Sequence, residues 1–143
     1  MYFKKAITIL PVSLLLILVI GSGFVKRADN IAATHTLLVF EGSDWCRNCI
    51  RFKKTVLTKE PFKKYLQEKN IEVEQIDFPQ RKQLDAATVA YNAKIADKYN
   101  FDGVFPTLLL INNTTEAVAK IPYATQDVYQ FMLLLDTKLS EIP

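Results

Sequence analysis

Cysteine is nearly absent from this 143-residue chain, which carries only Cys46 and Cys49. So few thiols exclude a structural disulfide framework, and one pair lacks the second pair of ligands that a tetrahedral zinc site needs. Histidine is rarer still: His35 stands alone before an apolar run and reads as a bystander rather than a ligand. An excess of one charge is also missing, since 18 lysines and arginines face 15 aspartates and glutamates, for a net charge of +3. No arginine-rich or aromatic-interleaved tract gathers the cations, so nucleic acid is not an expected partner. The densest basic stretch, Arg51, Lys53, Lys54, Lys59, Lys63, Lys64 and Lys69, reads as a solvated face, with an acidic partner or anionic lipid as the alternative. The low hydrophobicity that marks disorder is not there either, because 50% of the residues are apolar. The chain is therefore expected to fold, with no internal repeat or low-complexity tract.

What is present begins with an uncharged run, Ala6 to Val25, rich in leucine and isoleucine. About 20 apolar residues span a bilayer core. Lys4 and Lys5 precede the run and Lys26 and Arg27 follow it. The positive-inside comparison is close to a tie, which the terminal amine tips toward a cytoplasmic N-terminus and an extracytoplasmic remainder. Residues 1–27 are expected to be an uncleaved membrane anchor. The alternative is a secretory signal cut near Gly23, within Gly21-Ser22-Gly23. No cysteine follows the segment, so a lipid-modified N-terminal cysteine is excluded.

After a linker over 28–35, residues 36–143 are expected to form one domain. Thr36 to Phe40 is an apolar run bounded by Gly42, the pattern of a strand buried on both faces. Cys49, Ile50, Phe52, Val56 and Leu57 follow helical spacing, and Pro61 opens a second helical piece with Phe62, Tyr65 and Leu66 on one face. Ile71 to Asp77 reads as a strand whose alternation slips at Ile76, which predicts a bulge or irregular end. Leu84, Thr88, Tyr91, Ile95 and Tyr99 make the stripe of a long helix, closed by Asn100 to Gly103. Thr107 to Ile111 and Ala117 to Ile121 flank Asn112-Asn113-Thr114 and read as a hairpin. Thr125 is expected to cap a last helix with Val128, Phe131, Met132, Leu135 and Leu139 inward. The first two strands, joined through a helix, should be parallel, and the hairpin adds an antiparallel pair. The expected class is α/β: a central mixed sheet between helices, in three layers.

The chemistry sits between the first strand and its helix, in Glu41-Gly42-Ser43-Asp44-Trp45-Cys46-Arg47-Asn48-Cys49. This places Cys46 at a helix N-terminus, where unpaired N–H groups and the helix dipole favour a thiolate, and Arg47 adds positive charge. The thiolate is the nucleophile, so Cys46 should attack first. Cys49 lies one turn on, within reach of a disulfide, and is the natural resolving thiol. Glu41 and Asp44 are the candidates for handling its proton.

These residues resemble the thioredoxin superfamily, in particular its extracytoplasmic members with a Gly-Ser-Asp-Trp-Cys-x-x-Cys loop. The resemblance runs from Thr36 to about Leu139 and includes Ile76-Asp77-Phe78-Pro79 and Phe105-Pro106-Thr107. It implies a thioredoxin-like fold, and that Pro106 is cis and faces the cysteines, with Phe105 beside it pairing with substrate backbone. It also implies that Trp45 covers the rim of the site and contacts substrate. Two departures stand out: Arg47-Asn48 replaces the usual Gly-Pro, and Leu38-Val39-Phe40 lacks the aspartate buried beneath the second cysteine.

The expected function is thiol–disulfide exchange with protein thiols and disulfides outside the cytoplasm. It needs no metal or organic cofactor, because both electrons reside in the Cys46–Cys49 pair. A membrane-embedded or thioredoxin-like redox partner is implied by the resemblance. The alternative is a non-catalytic binding module on the same fold. A third reading, monovalent copper delivery, suffers from the want of a nearby histidine or methionine.

Overall fold

The computed structural model describes residues 32–143; the expected anchor and the first part of the linker lie outside the described residues. Among the described residues no helix is long and apolar enough to cross a membrane. The described end of the linker is tied to the domain: Asn70 and Asn113 side-chain amides donate to the carbonyls of Ala32 and Ala33, and the Thr34 N–H donates to the Asn70 carbonyl.

Strand β1 (His35–Glu41) is followed by helix α1 (Arg47–Phe52), which runs into a π-helical turn, Lys53–Leu57. Then come α2 (Glu60–Glu68), β2 (Ile71–Asp77), α3 (Ala86–Lys98), the hairpin β3 (Thr107–Asn112) and β4 (Val118–Ile121), and α4 (Val128–Glu141). The sheet order is β2-β1-β3-β4, with β1 parallel to β2 and antiparallel to β3. This is the mixed sheet the strand order predicted.

Side chains alternate along β1, so each face of the sheet builds its own core. Leu37 and Val39 join Phe52, Val56, Phe62, Phe131 and Leu135 under α1, α2 and α4. Leu38 and Phe40 join Ile76, Leu109 and Ile111 on the other face, with Ile95, Ala96 and Tyr99 packed against them. Glu41 ends β1 on the Leu37–Val39 face, which points it toward α1.

Three local expectations need correction. Strand β2 has no bulge; it pairs with β1 in unbroken register from Ile71 to Asp77. The pattern slips because β2 buries Ile71 and Val73 in one core and Ile76 in the other. Within α3 the buried residue is Asn92, whose amide donates to the Asp77 carbonyl at 2.8 Å, whereas Tyr91 is exposed and bonds Glu74. The cap of α4 is Asp127, in a capping box with Gln130, while Thr125 lies before the helix at φ +60°. His35 is a structural residue: its Nε2 meets the Ile142 carbonyl at 3.1 Å.

Candidate active site

Cys46 ends the loop after β1 as the N-cap of α1, with extended backbone and its N–H bonded to the Gly42 carbonyl at 2.9 Å. Its Sγ accepts the Cys49 N–H at 3.1 Å, so the sulfur takes the role that a serine or aspartate oxygen plays in most caps. The two cysteines are joined in a disulfide with Cα atoms 5.2 Å apart. Cys46 is 6% exposed and Cys49 1%, so an incoming sulfur meets Cys46 first.

Each of the three residues before Cys46 is fastened to the end of β2 or to the segment that follows it. Ser43 donates to Asp77 through both its N–H (2.8 Å) and its Oγ (2.7 Å). Asp44 accepts the backbone N–H groups of Gln80, Arg81 and Lys82 at 2.8 to 2.9 Å. The Trp45 Nε1 donates to the Phe78 carbonyl at 2.8 Å. The indole folds back over Gly42, where an added Cβ would come within 2.4 Å of it, so glycine is required by that close approach.

The two carboxylates singled out for proton handling sit in different surroundings. Desolvation opposes ionisation of Asp44, but the three N–H donors outweigh it and hold its carboxyl below the usual range. Asp44 is thus an acceptor already engaged. Glu41 is 3% exposed, and burial pushes its carboxyl up, with Asp77 adding to the effect and Lys53 and Lys82 opposing it. Glu41 and Cys49 line one cleft of about 320 Å³, with Ser43, Lys53 and Thr58. Asp77 is the counterpart: burial works against its charge, yet Lys82 Nζ at 2.6 Å and the Ser43 donors keep its carboxyl low.

The exposed Arg47 and Asn48 line a groove of about 570 Å³ together with Trp45, Cys46, Gly103 and Phe105. The fold thus brings the cysteine loop against a segment more than fifty residues away in sequence. The Phe105–Pro106 peptide bond is cis, and Pro106 leads directly into β3. Phe105 packs edge-on against Trp45 at 5.2 Å and against Phe101 at 5.0 Å, and Phe101 stacks on the core residue Phe40 at 4.3 Å. An aromatic series therefore runs from the core to the site.

Sequence reasoning had not assigned site roles to Gly103, Asp77 or Phe101. Gly103 lies at φ +79° on the groove wall, and a glycine closing a helix just before a Phe-Pro step was its signal. Asp77 lay within the Ile76-Asp77-Phe78-Pro79 segment of the resemblance, but its bonds to Ser43, 34 residues earlier, and the stacking of Phe101 on Phe40 are contacts between residues far apart in the chain.

A family model described as Thioredoxin-like matches residues 28–112. The disulfide bond reductase DsbH of Chlamydia pneumoniae is 28% identical over 86 residues, which are 60% of this chain and 51% of that protein. The chain thus spans about half the length of this curated relative. Among solved structures, a DsbH oxidoreductase superposes with a TM-score of 0.67 at 23% identity, covering 76% of this chain and 74% of the other. Tryparedoxin from Trypanosoma brucei superposes with a TM-score of 0.51 at 20% identity, covering 78% and 80%. At these identities the two structures establish the fold.

Proposed function

The chain belongs to the thioredoxin-like family, and from that premise we propose that it is a protein thiol–disulfide oxidoreductase working through Cys46 and Cys49. The observation that carries this is the disulfide at the start of α1, with the more exposed sulfur on the capping residue. In the reduced protein the helix N-terminus and the Cys49 N–H stabilise a Cys46 thiolate. That thiolate attacks one sulfur of a client disulfide; the client S–S bond breaks, a mixed disulfide forms, and the client's second sulfur leaves as a thiolate and takes a proton. Cys49, losing its proton to Glu41, then attacks the Cys46 sulfur, and the first client sulfur leaves with a proton in turn. Two electrons and two protons reach the client, and the Cys46–Cys49 disulfide closes.

Glu41 fits the proton role better than Asp44, because it shares a cleft with Cys49 and its burial raises the carboxyl's proton affinity, whereas the backbone donors around Asp44 lower that of Asp44. Trp45, Arg47, Asn48 and Phe105 form the surface that meets the client, next to the turn made by Pro106. The reductive direction is favoured by the name of the Chlamydia pneumoniae relative. An extracytoplasmic site of action follows from the apolar run Ala6 to Val25, whether retained as an anchor or removed. A membrane-embedded or thioredoxin-like donor would return electrons to the pair.

Trapping tests the proposal. Cys49→Ser should accumulate mixed disulfides between Cys46 and extracytoplasmic proteins, resolved by reducing agent on gels, while Cys46→Ser should accumulate none. If Cys49→Ser traps nothing and the wild-type protein neither reduces nor oxidises a model disulfide, the non-catalytic module replaces the enzyme.

A further inference from the structure

From Trp45 to Lys59 the chain carries five cations, Arg47, Arg51, Lys53, Lys54 and Lys59, and no carboxylate. None of the five forms an ion pair among the described residues, whereas six other lysines, at 63, 64, 69, 82, 120 and 138, each have an acidic partner within 4.0 Å. Lys53 lies toward the buried Glu41. Arg47, Ile50, Arg51 and Lys54 follow the i, i+3, i+4, i+7 spacing that puts residues on one helical face, and all four are exposed. Ile50 is 47% exposed. This cationic face begins at Arg47, next to Cys46, and Arg47 lines one groove with Cys46 and the aromatic rim of Trp45 and Phe105.

We infer that the exposed face of α1 and the π-helical turn docks an acidic polypeptide segment, selecting clients whose reacting disulfide is flanked by aspartate or glutamate. This rests on the exchange activity proposed above and names its substrate class. A polypeptide bonded to Cys46 lies in the groove that Arg47 lines, so the cations that continue from Arg47 along α1 flank the client chain. Their field reaches about 10 Å at 0.1 M salt. Charge complementarity at that range acts mainly on the association rate, by about tenfold or more. Continuity with the reacting sulfur is what points to a polypeptide rather than to an anionic membrane.

The test uses the full chain, reduced, in neutral detergent. Three peptides of equal length, each with one intramolecular disulfide, carry acidic, uncharged or basic residues beside the cysteines. At low salt the acidic peptide should react at least tenfold faster than the basic one, and 1 M NaCl should bring the two within about twofold. Arg51→Glu with Lys54→Glu should invert the acidic-to-basic ratio, which cancels any change in chemistry common to all the peptides. Should that variant not fold, Arg51→Gln with Lys54→Gln should lower the ratio at least threefold. Equal rates for acidic and basic peptides, or a ratio indifferent to both variants, overturns the inference. If no peptide reacts, the exchange activity is what fails, and docking is read instead from fluorescence anisotropy of cysteine-free labelled peptides. There the acidic peptide should bind at least tenfold tighter than the basic one. Equal binding, or binding only to phosphatidylglycerol vesicles, overturns the surface as a polypeptide dock.

Discussion

Glu41 and Asp77 lie within one network, yet their linkages to pH have opposite signs. The folded-state value of Glu41 lies above its ordinary 4.5, so its contribution to stability is complete below that pH and drains away as pH rises through the raised value. Glu41→Gln should therefore raise the Tm at pH 7, with a gain that shrinks toward acid, and slow release of a trapped client by about 10²-fold. A gain in stability that grew on acidification would refute the burial argument; unchanged release would remove Glu41 from proton transfer. For Asp77 the folded value lies below 3.8, so its contribution is present above that pH and is lost as pH falls through the lowered value. Asp77→Asn should destabilise the protein at neutral pH and do so progressively less in acid, as denaturation melts across that range would report.

At the scale of elements, the loop 42–46 and the segment 77–82 behave as one unit because Ser43, Asp44 and Trp45 all bond across the gap. Gly42 and Trp45 are in direct contact, so their substitutions should not add. Gly42→Ala is expected to destabilise the wild type, to be nearly neutral in a Trp45→Ala background, and to show a coupling of about 1–3 kcal/mol in urea melts. Additive effects would mean that the indole is not seated on Gly42. The last helix offers a contrast, since its cap lies at the opposite end of the chain from the redox loop. Asp127→Ala removes the capping box and should cost about 1 kcal/mol, with the rate of exchange unchanged in a model disulfide assay.

For the whole molecule, the sheet divides two cores, and the site draws on both. Phe131 is fully buried where α4 meets Phe52 and Phe62, so Phe131→Ala should cost about 3–5 kcal/mol by denaturant unfolding, while loss of under 1 kcal/mol would mean that α4 is not seated there. The order of elements, the buried strand β1, the hairpin and the placement of Cys46 and Cys49 at a helix start were all legible in the residues, because periodicity, caps and turn chemistry act between near neighbours. Less legible were β2, whose two buried faces imitate a slip in register, and the cap of α4, where Asp127 displaced Thr125 as the better partner for Gln130. What the amino-acid order determined by itself is a pair of cysteines one helical turn apart at the start of a helix. What only the tertiary structure decided is which carboxylate shares a cleft with Cys49, which loop clamps Trp45, and that Gly103 and Phe105 wall the groove. Those relations depend on distances between residues remote in the chain, and such distances exist only once the sheet has closed and desolvated Glu41 while leaving Asp44 to the amides of a neighbouring turn.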